Sequence, residues 1–254
     1  MADRFLKQAR QYSEARPRYP QKLFDFIASK TPTHDLVWDI GTGSGQAATS
    51  ISIKQLEFAP RLPNVDYKCT SPNMSMSELE EKVGTESSVD LVTIAQAIQW
   101  FDLDTFYNQV KWILKKPSGI IAAWCYPIPK IDDEFDPVFQ NFYLESQPYS
   151  GGLQRGLVDD KYTTLEFPFG PVDGCHHTGP FEFQTNKLMS LGELFLYIRS
   201  WSTYQTAKDQ GVELLNDGAI EELTNAWKED GNGRKSVTFP VYLRIGKVGG
   251  SFTL

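Results

Sequence analysis

The chain is short of cysteine and histidine, with three of each in 254 residues. Cys69, Cys125 and Cys175 are widely spaced and predict free thiols, the usage of a reducing compartment rather than of a disulfide framework. The one dense cluster of metal-ligating types is Cys175-His176-His177. Neighbouring side chains cannot easily converge on one ion, so no metal site is expected. Long apolar runs are absent: none approaches the roughly 18–20 residues of a membrane span. Met1-Ala2-Asp3-Arg4 lacks the apolar core of a signal peptide, and a cytoplasmic location is expected. Basic charge is in deficit, with 25 Lys+Arg against 32 Asp+Glu and a net charge of −7, so neither nucleic acid nor an anionic membrane is an expected partner. Arg4, Lys7, Arg10, Arg16 and Arg18 make the first twenty residues locally basic, which a solvated helix face explains. No internal repeat or low-complexity tract interrupts the chain.

What is present suffices for one large domain, 1–254. Hydrophobic residues are 41 % and aromatic residues 13 %, ample for a core. The stretch around which the chain is organised is Leu36-Val37-Trp38-Asp39-Ile40-Gly41-Thr42-Gly43-Ser44-Gly45-Gln46-Ala47-Ala48. It reads as a short apolar strand, a glycine-rich turn and the opening of a helix. The strand carries Asp39 to its C-terminal end. Glycines at alternate positions allow a tight turn with no Cβ in the way, and the helix N-terminus offers free N–H groups. This is how an open α/β sheet builds a nucleotide crevice at its carboxyl edge. The spacing is Gly41-x-Gly43-x-Gly45 rather than the dinucleotide G-x-G-x-x-G, which argues against a nicotinamide or flavin oxidoreductase.

Around this stretch, helical periodicity predicts a helix over 5–14. A rigid loop follows through Tyr12, Arg16-Pro17-Arg18-Tyr19-Pro20, and a second helix over 20–30 carries Leu23, Phe24, Phe26 and Ile27. Val65–Cys69 alternates as a strand. Ser77-Glu78-Leu79-Glu80 reads as a capping box, and Val89–Ala95 as a buried parallel strand. Asp102 or Asp104 caps a helix with Phe106, Val110, Ile113 and Leu114 on its apolar side, and the 119–125 strand follows Pro117-Ser118-Gly119. Beyond 126 the pattern loosens. Helices are expected near 134–145, 191–202 and 216–228, a strand over 181–185, and a final antiparallel edge strand through Val237, Phe239, Val241, Leu243 and Ile245. The fold class is α/β, a Rossmann-like parallel sheet.

The glycine run behind Asp39 resembles the first motif of the class I S-adenosylmethionine-dependent methyltransferases. Tyr12…Arg16-Pro17…Tyr19-Pro20, Trp38–Ala48, Ser88-Val89-Asp90-Leu91-Val92 leading to Ala95-Gln96-Ala97…Trp100-Phe101, and Phe195…Arg199-Ser200-Trp201-Ser202 together resemble one subfamily. It is the trans-aconitate methyltransferase-like set in the methyltransferase type 11 group, and the likeness covers nearly the whole chain. The resemblance implies a seven-stranded sheet with an antiparallel last strand and S-adenosylmethionine as cofactor. It implies that Asp39, Gly41, Thr42, Gly43, Gly45, Gln96 and Ala97 bind the cofactor. It implies that Tyr12, Arg16 and Tyr19, in a lid segment over 1–30, and Trp100 face a small-molecule acceptor, with a substrate-side elaboration over about 126–205. A monomer or homodimer is expected. No acid–base residue is singled out.

One departure stands out. This fold normally places a second strand after the glycine-loop helix, ending in an acid that takes the ribose hydroxyls. Here Val65 comes only twenty positions after Gly45. A helix, a loop, a strand and a further helix need roughly 30–40 residues. The second strand is therefore expected to be shortened or missing, with Glu57 the only nearby acid before Asp66. Two functions stay open from sequence: a methyltransferase acting on a small acceptor, possibly a carboxylic acid, or a catalytically impaired relative lacking part of its cofactor site.

Overall fold

In the parallel half of the sheet, apolar β-branched runs give the strands, the innermost of them covered on both faces. The computed structural model describes residues 16–41, 68, 70, 74–228 and 233–249. Strands β1 (Val37–Ile40), β2 (Leu91–Ala95) and β3 (Ile120–Cys125) are parallel neighbours, with Val37 opposite Leu91, Asp39 opposite Thr93 and Ala95 opposite Trp124. β3 is buried at every position. Val89 lies outside β2 and forms a lone bridge with Leu114.

Helix α1 (Gln21–Lys30) starts after Pro20 and buries Leu23 and Ile27, while Phe24 stays exposed with its ring edge-on to Trp124. Helix α2 (Met76–Lys82) corrects the position of the capping box. Ser75, not Ser77, is the cap: its hydroxyl accepts from the Glu78 N–H, and the Glu78 carboxylate accepts from the Ser75 N–H at 3.0 Å. The earlier start turns Leu79 fully inward. Helix α3 (Leu103–Ile113) buries Phe106, Val110 and Ile113. Asp102 occupies its N-cap, but the carboxylate accepts from the Thr105 hydroxyl rather than from a backbone N–H.

Two compact units divide the described chain. One draws on 20–125, 157–183 and the residues from 242 onward; the other on the residues up to 19, 126–156 and 184–241. Among the described residues the sheet has the order β1-β2-β3-β5-β4, with β4 at Phe181–Ser190 and β5 at Arg234–Lys247. In the first unit β5 runs antiparallel to β3, from Ile120 opposite Lys247 to Cys125 opposite Tyr242. The final strand is thus antiparallel as expected but interior, and β4 takes the edge. Among the described residues β1 pairs with β2 alone. The expected helix over 5–14, the strand over Val65–Cys69 and the shortened second strand fall outside the described residues, apart from Lys68, which lies in no strand.

The second unit is helical and aromatic. It holds α4 (Phe135–Ser146), the start of α5 (Leu153–Asp159), α6 (Leu191–Arg199), α7 (Ser202–Asp209) and α8 (Asp217–Trp227). Phe135 meets Trp227 edge-on at 5.2 Å, and Phe139 and Tyr143 pack on Trp201. The expected 191–202 helix ends at Arg199, because Ser200 turns back onto the last carbonyls of α6 and Trp201 is extended. No helix among the described residues is long and apolar enough to cross a membrane.

Asp90, just before β2, fastens the entry ends of the parallel strands. It is 2 % exposed. Its carboxylate accepts from the Asp35 and Leu36 N–H groups, each at 2.9 Å, and from the Thr33 hydroxyl, and pairs with Lys115 Nζ at 2.7 Å. Its backbone N–H donates to Leu36 O, and its carbonyl accepts from Ile120 N. Burial alone would raise its pKa. The Lys115 ammonium, the Thr33 hydroxyl and the Leu36 N–H outweigh that and hold it at about 2. The folded value lies below the unfolded one, so this stability is present above pH 4 and lost as the pH falls towards 2. Asp90→Asn should cost about 2–4 kcal/mol in urea titration at pH 7 and flatten the acid limb of stability. Equal acid sensitivity in variant and wild type would remove Asp90 from this role.

Candidate active site

The site begins where β1 and β2 run out at their carboxyl ends. Ile40 pairs with Ile94. Beyond them Gly41 takes φ +71° and Gln96 φ +57°, so both chains turn away from the sheet in left-handed conformations. A Cβ at Gly41 would stand 2.7 Å from the Cβ of Ala97, closer than real carbon atoms approach. Glycine is therefore required here for the two turns to meet. Four of the residues picked out for cofactor binding, Asp39, Gly41, Gln96 and Ala97, thus gather at one place in the first unit. Thr42, Gly43 and Gly45 lie outside the described residues.

Asp39 accepts a 2.6 Å hydrogen bond from the Thr93 hydroxyl of its cross-strand partner. Thr93 had no distinctive signal in sequence, since a threonine in a β-branched run reads as strand filler. Asp39 is exposed as a residue, yet protein crowds its carboxyl. That desolvation pushes its pKa up to about 6, against the lowering effect of Thr93. Gln96 is fixed through its backbone: its N–H donates to Trp124 O at 2.9 Å, and its carbonyl accepts from Gln99 Nε2 at 3.0 Å. Trp100 stays with this group, half-buried in a short turn over Ile98–Trp100, with its N–H on Ala97 O.

Arg16 and Tyr19 belong to the second unit, and Tyr12 lies outside the described residues. Arg16 Nη1 donates to the Tyr126 hydroxyl at 3.0 Å and Nη2 to Ser200 O at 2.8 Å, with the guanidinium carbon 5.5 Å from the Tyr197 ring centre. Tyr19 packs on Tyr126 at 6.1 Å. Burial and the neighbouring Tyr126 raise the Tyr197 pKa, against Arg16 and Arg155. The result is a cation held in an aromatic surround. Ser200, Trp201 and Arg16 were singled out in separate sequence segments, and the fold brings them into one unit. Tyr126 and Tyr197 were not foreseen, because buried tyrosines in an aromatic-rich region read as packing. Among the described residues no three His, Cys, Asp or Glu side chains stand together as metal ligands.

The crevice suits a ligand that approaches backbone closely and carries donors for Asp39, as the ammonium and hydroxyl groups of S-adenosylmethionine would. Comparisons with known proteins agree with that chemistry. A Dictyostelium discoideum protein named a putative methyltransferase is 30 % identical over 264 aligned residues, covering 96 % of this chain and 95 % of its own. A probable S-adenosylmethionine-dependent methyltransferase of Saccharomyces cerevisiae, CRG1, is 26 % identical over 233 residues, or 76 % of this chain and 78 % of its own. A solved structure, a putative type II methyltransferase from Anaeromyxobacter dehalogenans, superposes with a TM-score of 0.72 at 25 % identity, over 91 % of this chain and 97 % of that one. No family model matches.

The raised pKa of Asp39 has a consequence for stability. The folded state holds this proton more tightly than the unfolded chain, whose value is 3.8. Its contribution is therefore full below pH 4 and lost as the pH rises through about 6. Asp39→Asn keeps an acceptor for Thr93 without the charge. In melting curves it should stabilise the free protein at pH 7.5 and not at pH 4. The same difference at both pH values would show that the charge is not held at a cost.

Proposed function

Because the chain belongs to the class I S-adenosylmethionine-dependent methyltransferases, we propose that it methylates a small-molecule acceptor, and that the acceptor is a carboxylic acid. The observation that carries the second part is Arg16, a guanidinium held by Tyr126 and Ser200 against the Tyr197 ring. A fixed guanidinium is suited to recognising a carboxylate. The subsidiary assignment, to the trans-aconitate methyltransferase-like subfamily, draws support from the same contacts, since they tie the Arg16-Pro17 segment to the Ser200-Trp201 segment.

S-adenosylmethionine, when bound, supplies an electrophilic methyl group. Gly41 and Ala97 would admit it to the backbone, Asp39 would accept from its donors, and Gln96 would flank it. Thr42, Gly43 and Gly45 would complete the loop. A carboxylate is already ionised at neutral pH and needs no general base to attack, which fits a chain in which no such base stands out. The protein's task is then alignment and exclusion of water. Arg16→Ala should lower kcat/KM for a carboxylate acceptor about 10- to 100-fold, roughly 1.4–2.8 kcal/mol, and change cofactor affinity by less than about twofold. Equal loss of both, or of neither, would take Arg16 off the acceptor side.

A second reading, a weakened cofactor site, is favoured by the short 46–64 stretch. The alignment to the Dictyostelium protein spans 264 positions, more than the 254 residues of this chain, so that relative carries residues that have no counterpart here. A charge-assisted bond to a ribose hydroxyl is worth about 1.5–3 kcal/mol, so its loss weakens binding roughly 10- to 150-fold. Inserting a strand that ends in Asp between Ser50 and Lys54 should restore affinity by that factor, measured by calorimetry on both proteins. Tight binding by the chain as it stands, unaffected by Glu57→Gln, would show that the acid is dispensable.

A further inference from the structure

We propose that Tyr162 and Gln99 are positioning residues, forming a hydrogen-bonded relay that holds Gln96 in its left-handed conformation at the cofactor crevice. This rests on the reading that Asp39, Gly41, Gln96 and Ala97 line that crevice. The Tyr162 hydroxyl donates to Gln99 Oε1 at 2.8 Å, and Gln99 Nε2 donates onward to Gln96 O at 3.0 Å. Both ends of the relay are strained. Gln96 sits at φ +57°, and Lys161 and Tyr162, consecutive and neither a glycine, both sit at φ +59°. A helix end such as that of α5 normally takes a single left-handed residue, usually glycine. Two in a row, one of them a bulky aromatic, persist only where the surroundings over-determine them, and such outliers gather at functional sites.

The surroundings here are specific. Arg244 on β5 is 9 % exposed. Its Nη1 donates to Tyr162 O at 2.9 Å and to Leu165 O at 3.1 Å, and its Nη2 to the Thr178 hydroxyl at 2.9 Å. The Tyr162 N–H closes on Leu157 O at 2.8 Å. The backbone of Tyr162 is thereby clamped from both sides, and its fully buried ring carries the hydroxyl to Gln99. With its N–H on Trp124 O and its carbonyl on Gln99, Gln96 has no freedom to relax to an ordinary conformation. A packing tyrosine would need neither the clamp nor the terminal hydrogen bond, and phenylalanine would fill the same space.

The test is calorimetric titration of S-adenosylmethionine, paired with amide hydrogen exchange over 96–100. Tyr162→Phe and Gln99→Leu should each weaken binding about five- to tenfold and speed exchange at Gln96 and Ala97, and the double variant should be no weaker than the worse single. In a Gln96→Gly background, where glycine adopts the left-handed conformation without support, Tyr162→Phe should have no further effect on affinity. Lower melting temperature with unchanged affinity and unchanged exchange would overturn the relay, as would an equal loss in both backgrounds. Gly41→Ala separates the two readings. If it weakens binding and Tyr162→Phe does not, the relay alone falls; if Gly41→Ala leaves affinity unchanged, the crevice reading falls and the relay with it.

Discussion

The buried carboxylate of Asp90 is the constraint on which the sheet unit depends. β1 has four residues and β2 five, too few for ladder bonds alone to prevent a slip in register. Asp90 fixes the register from one point. It takes the turn before β1 through the Asp35 and Leu36 N–H groups, the segment that leaves α3 through Lys115, and β3 through Ile120 N. A slip by one residue would carry Asp39 to the other face and part Gly41 from Ala97. About 13 Å of strand, at roughly 3.3 Å per residue, separates this anchor from the crevice. The geometry of the site is therefore inherited from the opposite end of the sheet.

The crevice itself is held against local preference. A left-handed backbone costs a non-glycine residue about 1–2 kcal/mol. The backbone hydrogen bonds of Gln96 to Trp124 and from Gln99, about 1 kcal/mol each, offset that cost. Gly41 has no such penalty, and no alternative either, because any Cβ there meets Ala97. One of these turns is fixed by sterics, while the other is held by the hydrogen bonds of its neighbours.

Where the code is local, the sequence was legible. The run up to Gly41 announced β1 and the turn that ends it, and Phe106, Val110 and Ile113 announced α3 by period alone. The box at Ser75 was misread because Ser77 offers the same chemistry two positions on, and only the inward demand of Leu79 chooses between them. β5 read as an edge because Val237, Phe239, Val241, Leu243 and Ile245 alternate with other residues, Arg244 among them, as in a strand with one solvated face. The side chain is nonetheless buried, with Nη1 donating to carbonyls of a segment about eighty residues away that no local pattern announces. The left-handed pair at Lys161 and Tyr162 was invisible for the same reason: neither residue type signals that conformation, and tertiary contacts impose it.

Two aspartates at opposite ends of the β1–β2 pair show how the fold sets two carboxylates apart. Asp90, at the entry end, is surrounded by donors and sits near pKa 2. Asp39, at the exit end, has Thr93 as its hydrogen-bond partner among the described residues and sits near 6. An ionised carboxylate accepts about four hydrogen bonds. Asp90 uses its capacity inside the protein and gives stability. Asp39 keeps most of its capacity unused at the mouth of the crevice, where crowding without enough donors makes its charge unfavourable in the free protein. A ligand that brings donors, above all a cationic ammonium, would relieve that cost on binding, so the burial that raises the pKa would favour a cation-bearing ligand at Asp39. Moving the Asp90 set of donors to Asp39 would stabilise the sheet and remove this advantage.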